Sequence, residues 1–234
     1  MKLFITLALL VSSTLTTALP APSNTVDSDA IVNSPIHQAY IKGAFSNIGG
    51  SSRNDTRNDL IDGKCNDVIV IFARGATEPG NIGTILGPPF FDAIEKVEPG
   101  RIIAQGVNDY PADIYGFLTG GSMTGAQYMA SMVSLAASQC PESKVVLSGY
   151  SEGAQVTHLA AGYIPEDLYS NVSAIVLFGD PDNGDAFPGS LNDNVKAFCN
   201  DGDLICHGLP IVLEAHLHYD HDVGKAAAFV AARV

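Results

Sequence analysis

Basic residues are scarce in this chain. Twelve Lys and Arg stand against 25 Asp and Glu in 234 residues, a formal charge of −13. Such a surface repels phosphate backbones and anionic lipid, which excludes nucleic acid as a partner and says nothing against neutral substrates. Long apolar runs are scarce too. Residues 3–11 form one, far short of the roughly 20 residues that a membrane-spanning helix requires. That run follows Met1-Lys2 and leads into small and hydroxylated residues ending at Thr17-Ala18, the makeup of a secretory signal peptide over 1–18. The expected product is a soluble, exported monomer without stable membrane insertion. Cysteine is limited to Cys65, Cys140, Cys199 and Cys206, with no C-x-x-C pair. Zinc ligation fails on that spacing, and two disulfides made in an oxidising compartment remain. There is no internal repeat and no room for a large cap domain. The roughly 200 residues after the leader make one domain with a sizeable core.

Residues 19–60 are rich in Ser, Asn, Asp and Pro and lack periodicity, which predicts a propeptide or flexible arm ahead of a domain at 61–234. Sequons begin at Asn54 and Asn171, possible glycan sites in a eukaryotic host. From Cys65 the texture changes. Five short β-branched runs lie at 68–72, 101–107, 144–147, 174–178 and 195–198, and segments of helical length lie at 83–97, 122–138, 151–163 and 221–233. Continuous apolar strands alternating with helices predict an α/β fold, with a central five-stranded, mostly parallel sheet covered by helices on both faces.

Within this pattern, Gly149-Tyr-Ser-Glu-Gly153 sits between a strand and a helix. G-x-S-x-G alone arises often by chance, but strand, sharp turn and helix is the context that a nucleophilic serine requires. Ser151 is thereby lifted above the carboxyl ends of the strands, where open α/β sheets bind ligands. The plainer alternative is a helix N-cap serine. A serine nucleophile needs a base, and the base an orienting acid, in the chain order Ser, Asp, His. Asp203 follows the last strand and His216 precedes the final helix, so both fall on the same edge as Ser151. Asp180, Asp182 and Asp201 compete for the acid, and His207, His218 and His221 for the base. Asp180 lies in a Pro/Asn/Gly turn, where Asp commonly serves turn geometry. His158 falls inside a helix and His37 in the arm. The run from His216 to Asp222 has the look of a metal site, but nothing elsewhere in the sequence supports one, and neither metal nor cofactor is expected. An oxyanion needs backbone donors, for which the N–H groups of Glu152 and of Ala76 are the candidates. Ala76 lies in the glycine-rich loop after the first strand, whose alternative reading is a plain strand-to-helix turn.

Four stretches together resemble the cutinase family of serine esterases: Phe72-ARGATEPG-Asn81, Gly149-YSE-Gly153, Cys199-NDGDLI-Cys206 and His216-LH-Tyr219. They occur in family order and span the chain from Cys65 onward. The resemblance implies a small lidless α/β-hydrolase acting on cutin or other hydrophobic esters. It implies Ser151 as nucleophile, His216 as general base and Asp203 as its partner, with Ala76 and Glu152 as oxyanion donors. It also implies the pairs Cys65–Cys140 and Cys199–Cys206. Two positions depart from the family pattern. Ala76 stands where a hydroxyl residue is frequent, and Glu152 where Gln is frequent. A carboxylate there is unfavourable to a developing oxyanion unless it points away. Leu118, Leu209, Val212 and Leu217 flank the triad residues and are expected to meet the acyl chain. The alternatives are an acetylxylan or other short-chain esterase of the same fold and, more remotely, a non-catalytic secreted binding protein.

Overall fold

The computed structural model describes residues 55–234. The expected signal peptide, most of the expected arm and the Asn54 sequon lie outside these residues. Five strands form the sheet: β1 (Val68–Ala73), β2 (Ile102–Gly106), β3 (Lys144–Tyr150), β4 (Val172–Phe178) and β5 (Val195–Phe198). Every pairing is parallel, in the order β2-β1-β3-β4-β5. The helices are α1 (Gly87–Val97), α2 (Ile114–Leu118), α3 (Met123–Gln139), α4 (Glu152–Ala161) and α5 (Val223–Ala231). No described helix is long and apolar enough to cross a membrane.

The two faces of the sheet follow from alternation along each strand. Ile69, Ile71, Val145, Leu147, Ile175 and Leu177 point to one side, against Ala126, Met129 and Val133 of α3 and Ala154 and Val156 of α4. Val68, Val70, Phe72, Val146, Val176 and Phe178 point to the other, against Phe90, Phe91 and Ile94 of α1 and Ala226, Ala227 and Val230 of α5. Strands buried on both faces must be apolar throughout, which is why they read as continuous runs. Each fully buried aliphatic side chain stabilises the fold by about 1.5–3 kcal/mol.

The structure moves several expected boundaries. β3 runs three residues further, to Tyr150, delivering the chain directly to Ser151. α1 starts at Gly87 with Pro in its first turn, because the N–H groups of Thr84 and Ile85 are held by the Glu78 carboxylate (2.9 and 2.8 Å) in a turn ahead of it. The short helix α2 was not anticipated; Asp113 caps it by accepting a bond from the Gly116 N–H (2.7 Å). Residues 55–60, expected in the arm, belong to the folded domain. Leu60 is fully buried in the core, and Asp59 accepts bonds from the Ala104 N–H, Arg57 and Lys64.

The cysteines pair as the resemblance implied. Cys65–Cys140 spans Cα atoms 5.6 Å apart and 75 positions of sequence. Cys199–Cys206 spans 6.0 Å and 7 positions. The first lies at the amino ends of β1 and β3, and the second closes the loop after β5.

Candidate active site

From β1 the chain crosses to β2 on one side and then returns to β3 on the other. Connections therefore diverge above the carboxyl ends of β1 and β3, the place where such sheets form a crevice. Ser151 occupies it. Between the end of β3 and the start of α4 it adopts φ 56° and ψ −122°, a conformation that costs a non-glycine residue about 1–3 kcal/mol. Its side chain caps nothing in α4, which disposes of the N-cap alternative. The glycines on either side make the turn possible. A Cβ on Gly149 would overlap the Gly153 carbonyl, and one on Gly153 would overlap the Ala73 carbonyl of β1.

Ser151 Oγ lies 2.9 Å from His216 Nε2, and His216 Nδ1 lies 2.8 Å from Asp203 Oδ2. With Nδ1–H donating to Asp203, Nε2 is left to accept the serine proton. All three residues are buried, Asp203 completely. Burial pushes the Asp203 carboxyl up, but bonds from His216, from Tyr219 and from the Ile205 N–H outweigh it and hold the group below the usual carboxylate range. The Tyr219 hydroxyl donates to Asp203 Oδ2 (2.5 Å) and accepts from the Asn200 N–H (3.1 Å). Asn200 Nδ2 donates to the Ala215 carbonyl (2.9 Å), tying the acid's loop to the base's loop. The His216 ring stacks on Tyr150, centroids 5.1 Å apart, and meets Tyr219 edge-on. The Tyr150 hydroxyl donates to the His216 carbonyl (2.9 Å). Neither Tyr150, Tyr219 nor Asn200 received a role from the sequence. Tyr219 stood inside the quoted His216-LH-Tyr219 stretch, the one signal that pointed to it.

The rivals take other parts. Asp180 pairs with His158 Nε2 (2.9 Å) and accepts the Asp182 N–H (3.0 Å) within its turn. His158 also stacks on Phe187. His218 pairs with exposed Glu214, and His207, His221 and Asp201 face solvent. His218, Asp220 and His221 do cluster, all three exposed.

Ala76 lies in the turn after β1, and this turn is held from inside. Glu78 is buried and accepts bonds from the N–H groups of Gly75, Thr84 and Ile85. Burial raises its carboxyl more than those bonds and nearby Arg74 lower it. Arg74 donates to the carbonyls of Glu78 (2.8 Å) and Tyr110 (3.0 Å). Thr77 is exposed, with φ 68°. Sequence reasoning missed Glu78, although the one acid of this glycine-rich loop was a signal.

Glu152 is fully buried, and neither carboxyl oxygen has a hydrogen-bond partner. Burial, reinforced by the charge of Asp113, pushes it up to about 8, against the pull of Tyr110 and Arg74. The single Tyr110 proton goes to the Arg74 carbonyl (3.0 Å), so the phenol oxygen is free to receive a bond from the acid form of Glu152. At neutral pH burial therefore favours the neutral, protonated form of the residue beside the serine.

α2, the turn after β4 and the loop around Cys206 line an open cavity of about 330 Å³. Leu118 and Leu209 line it, as does Gln155 of α4. Val212 and Leu217, also expected to meet the acyl chain, are partly exposed and do not line it.

A parallel sheet with helices on both faces, carrying serine, histidine and aspartate in one hydrogen-bonded series at its carboxyl edge, defines the α/β-hydrolase class. The chain matches the Cutinase family model over residues 64–234. It belongs to the cutinase family, whose members are carboxylic ester hydrolases. It is 48% identical over 166 residues to the cutinase of Botryotinia fuckeliana, covering 71% of this chain and 82% of that one. Among solved structures it is similar to Trichoderma reesei cutinase in complex with a phosphonate inhibitor, with a TM-score of 0.72 and 36% identity over 88% of this chain and 94% of that one. It also shares its fold with an acetylxylan esterase, with a TM-score of 0.58 and 22% identity over 73% of this chain and 99% of that one.

Proposed function

We propose that this protein is a secreted cutinase, hydrolysing cutin and other hydrophobic esters through Ser151, His216 and Asp203. The observation that carries this reading is the unbroken series Ser151 Oγ, His216, Asp203, with separations of 2.9 and 2.8 Å. His216 Nε2 takes the serine proton as Oγ attacks the ester carbonyl carbon. Asp203, held in its charged form, stabilises the resulting imidazolium. The N–H groups of Ala76 and Glu152 receive the developing oxyanion. Collapse expels the alcohol, which leaves with the proton from Nε2, and an acyl-Ser151 remains. Water then gives a proton to His216 and attacks, releasing the acid and restoring the serine. The two disulfides fit the oxidising route of an exported protein, with residues 1–18 as its signal peptide and an arm or propeptide ahead of the domain.

The apolar side chains of the cavity wall, Phe117, Leu118, Ile205 and Leu209, and the exposed Tyr115 and Leu213 favour long acyl chains over acetyl groups. Each such side chain that meets the substrate contributes about 1–2 kcal/mol. The test is a series of p-nitrophenyl esters from acetate to decanoate, run beside cutin and acetylated xylan. We expect a peak at butyrate or longer, with release of cutin monomers. Strict acetate preference with xylan deacetylation would make the protein an acetylxylan esterase. Ser151→Ala and His216→Ala should each lose several orders of magnitude in kcat, and His218→Ala little. A phosphonate probe should label Ser151 in the wild type. Esterase activity retained by folded Ser151→Ala would refute the assignment.

A further inference from the structure

The segment from Glu214 to His221 has two sides. Its inner side belongs to the serine site: His216 and Tyr219 are buried, and Tyr219 donates to Asp203 (2.5 Å). Its outer side presents His218, Asp220 and His221 to solvent, with ligand atoms that all lie within 4.8 Å of one another. By sequence this run had the look of a metal site without further support; its folded geometry supplies that support.

Tyr219–His221 forms a 3-10 helical turn with His218 just ahead of it, and side chains three apart on such a turn eclipse. The two imidazoles therefore stand on one side, stacked with centroids 6.2 Å apart. Asp220 turns one oxygen toward each: Oδ1 lies 3.9 Å from His218 Nδ1, and Oδ2 lies 4.0 Å from His221 Nδ1. Both separations are too long for hydrogen bonds. They are close to the roughly 3.4 Å between neighbouring ligands of a tetrahedral ion with bonds of about 2.0–2.1 Å, and small rotations of exposed side chains cover the difference. Glu214 supplies a second observation. A carboxylate only accepts, so the bond between Glu214 Oε1 and His218 Nε2 (2.6 Å) places the proton of the neutral ring on Nε2. The Nδ1 lone pair is left on the side of Asp220. A carboxylate on the far nitrogen is the arrangement that orients a metal-bound histidine and raises its basicity. Two imidazoles and one carboxylate suit Zn²⁺, Ni²⁺ or Cu²⁺ better than Mg²⁺ or Ca²⁺, which take oxygen ligands. The formal charge of −13 draws cations to the surface.

We infer that His218, Asp220 and His221 form a binding site for a zinc-class divalent ion, with water completing the coordination and Glu214 positioning His218. The ion takes no part in hydrolysis, since both nitrogens of His216 are engaged by Ser151 and Asp203. It clamps from outside the stretch that carries His216 and Tyr219 on its inner side, and so stabilises the fold around the base.

The experiment is calorimetric titration of the untagged protein, stripped with EDTA and desalted, with zinc chloride and with nickel chloride. One ion should bind per chain, and zinc should raise the thermal unfolding midpoint. His218→Ala and His221→Ala should each weaken binding by more than about tenfold, and Glu214→Ala by about tenfold, with loss of the thermal gain. Circular dichroism checks that each variant is folded, as expected for exposed side chains. Absence of saturable zinc binding by the wild type would overturn the proposal, as would binding unchanged by both histidine variants, which would put the ion elsewhere in the chain. Equal competition by magnesium or calcium would overturn the ligand class, and binding without a thermal gain would overturn the clamp.

Discussion

Replacing Glu152 by Gln should make the protein more stable, and by an amount that depends on pH in a defined way. The carboxyl has an ordinary value of 4.5 and is pushed up to about 8 in the fold; in the unfolded chain it titrates near about 4.3. Folded protein thus holds this proton where unfolded protein has lost it, and a state that binds more protons loses ground as pH rises. The contribution is fully present below about pH 4, declines as pH climbs, and levels off above about pH 8. At about 1.4 kcal/mol per pH unit, the interval amounts to about 5 kcal/mol. Gln has the same shape and no titration, so its fixed offset cancels from the pH dependence. The assay is urea unfolding of both proteins from about pH 5 to pH 9. The difference in unfolding free energy should grow by several kcal/mol toward pH 8 and then flatten. A difference that stays constant with pH would refute the reasoning, since it would mean that Glu152 is ionised in both states. Kinetics supply a second readout. Above about pH 8 the wild type places a negative charge on the residue whose N–H is proposed to receive the oxyanion. A like charge there opposes the charge that develops on the oxyanion, the more so because the carboxyl is buried away from water. The alkaline decline in kcat should be absent from Glu152→Gln.

Two further outcomes follow from the loops around the acid. Tyr219→Phe removes a donor to Asp203 and an acceptor for the Asn200 N–H; it should cost about 1–2 kcal/mol of stability and about tenfold in kcat, and an unchanged kcat would show that Asp203 needs no such support. Replacing the Cys65–Cys140 pair by alanines should cost about 4–5 kcal/mol and the Cys199–Cys206 pair about 2–3, on loop lengths of 75 and 7 positions. The second change should also lower turnover, because Asp203 lies within that short loop; equal losses in both quantities for the two pairs would contradict this.

What was legible in the sequence was what local pattern controls. Strands buried on both faces leave unbroken apolar runs, so the sheet and its order of elements were visible, and so was the serine, because a tight strand-to-helix turn needs glycines at fixed offsets. What was not legible depends on partners distant in sequence. Residues 55–60 look like linker by composition, yet Leu60 is buried and Asp59 bonds the Ala104 N–H across 45 positions. Glu78 looks like a solvated loop acid until its three backbone donors are seen. α2 has only five residues, too short for its periodicity to register. The concern that a carboxylate at Glu152 would oppose the oxyanion assumed a charge that burial disfavours.

The pairing of β1 with β3 carries a further meaning. Ala73 lies opposite Gly149 in the ladder, so the segments bearing Ala76 and Ser151 leave the sheet side by side. The ladder sets the serine and the proposed oxyanion donor side by side although they are far apart in sequence, and the Glu78 bonds then hold the donor's turn. A slip of one residue between these strands would shift the serine by about 3.3 Å relative to the proposed donor loop and turn its strand's side chains to the wrong face. Misplacement of about 1 Å already costs such chemistry about a hundredfold. Hydrolysis in this protein is therefore a gauge of strand registry: a molecule that turns over ester has β1 and β3 in step, and one misaligned there is chemically silent however compact it is.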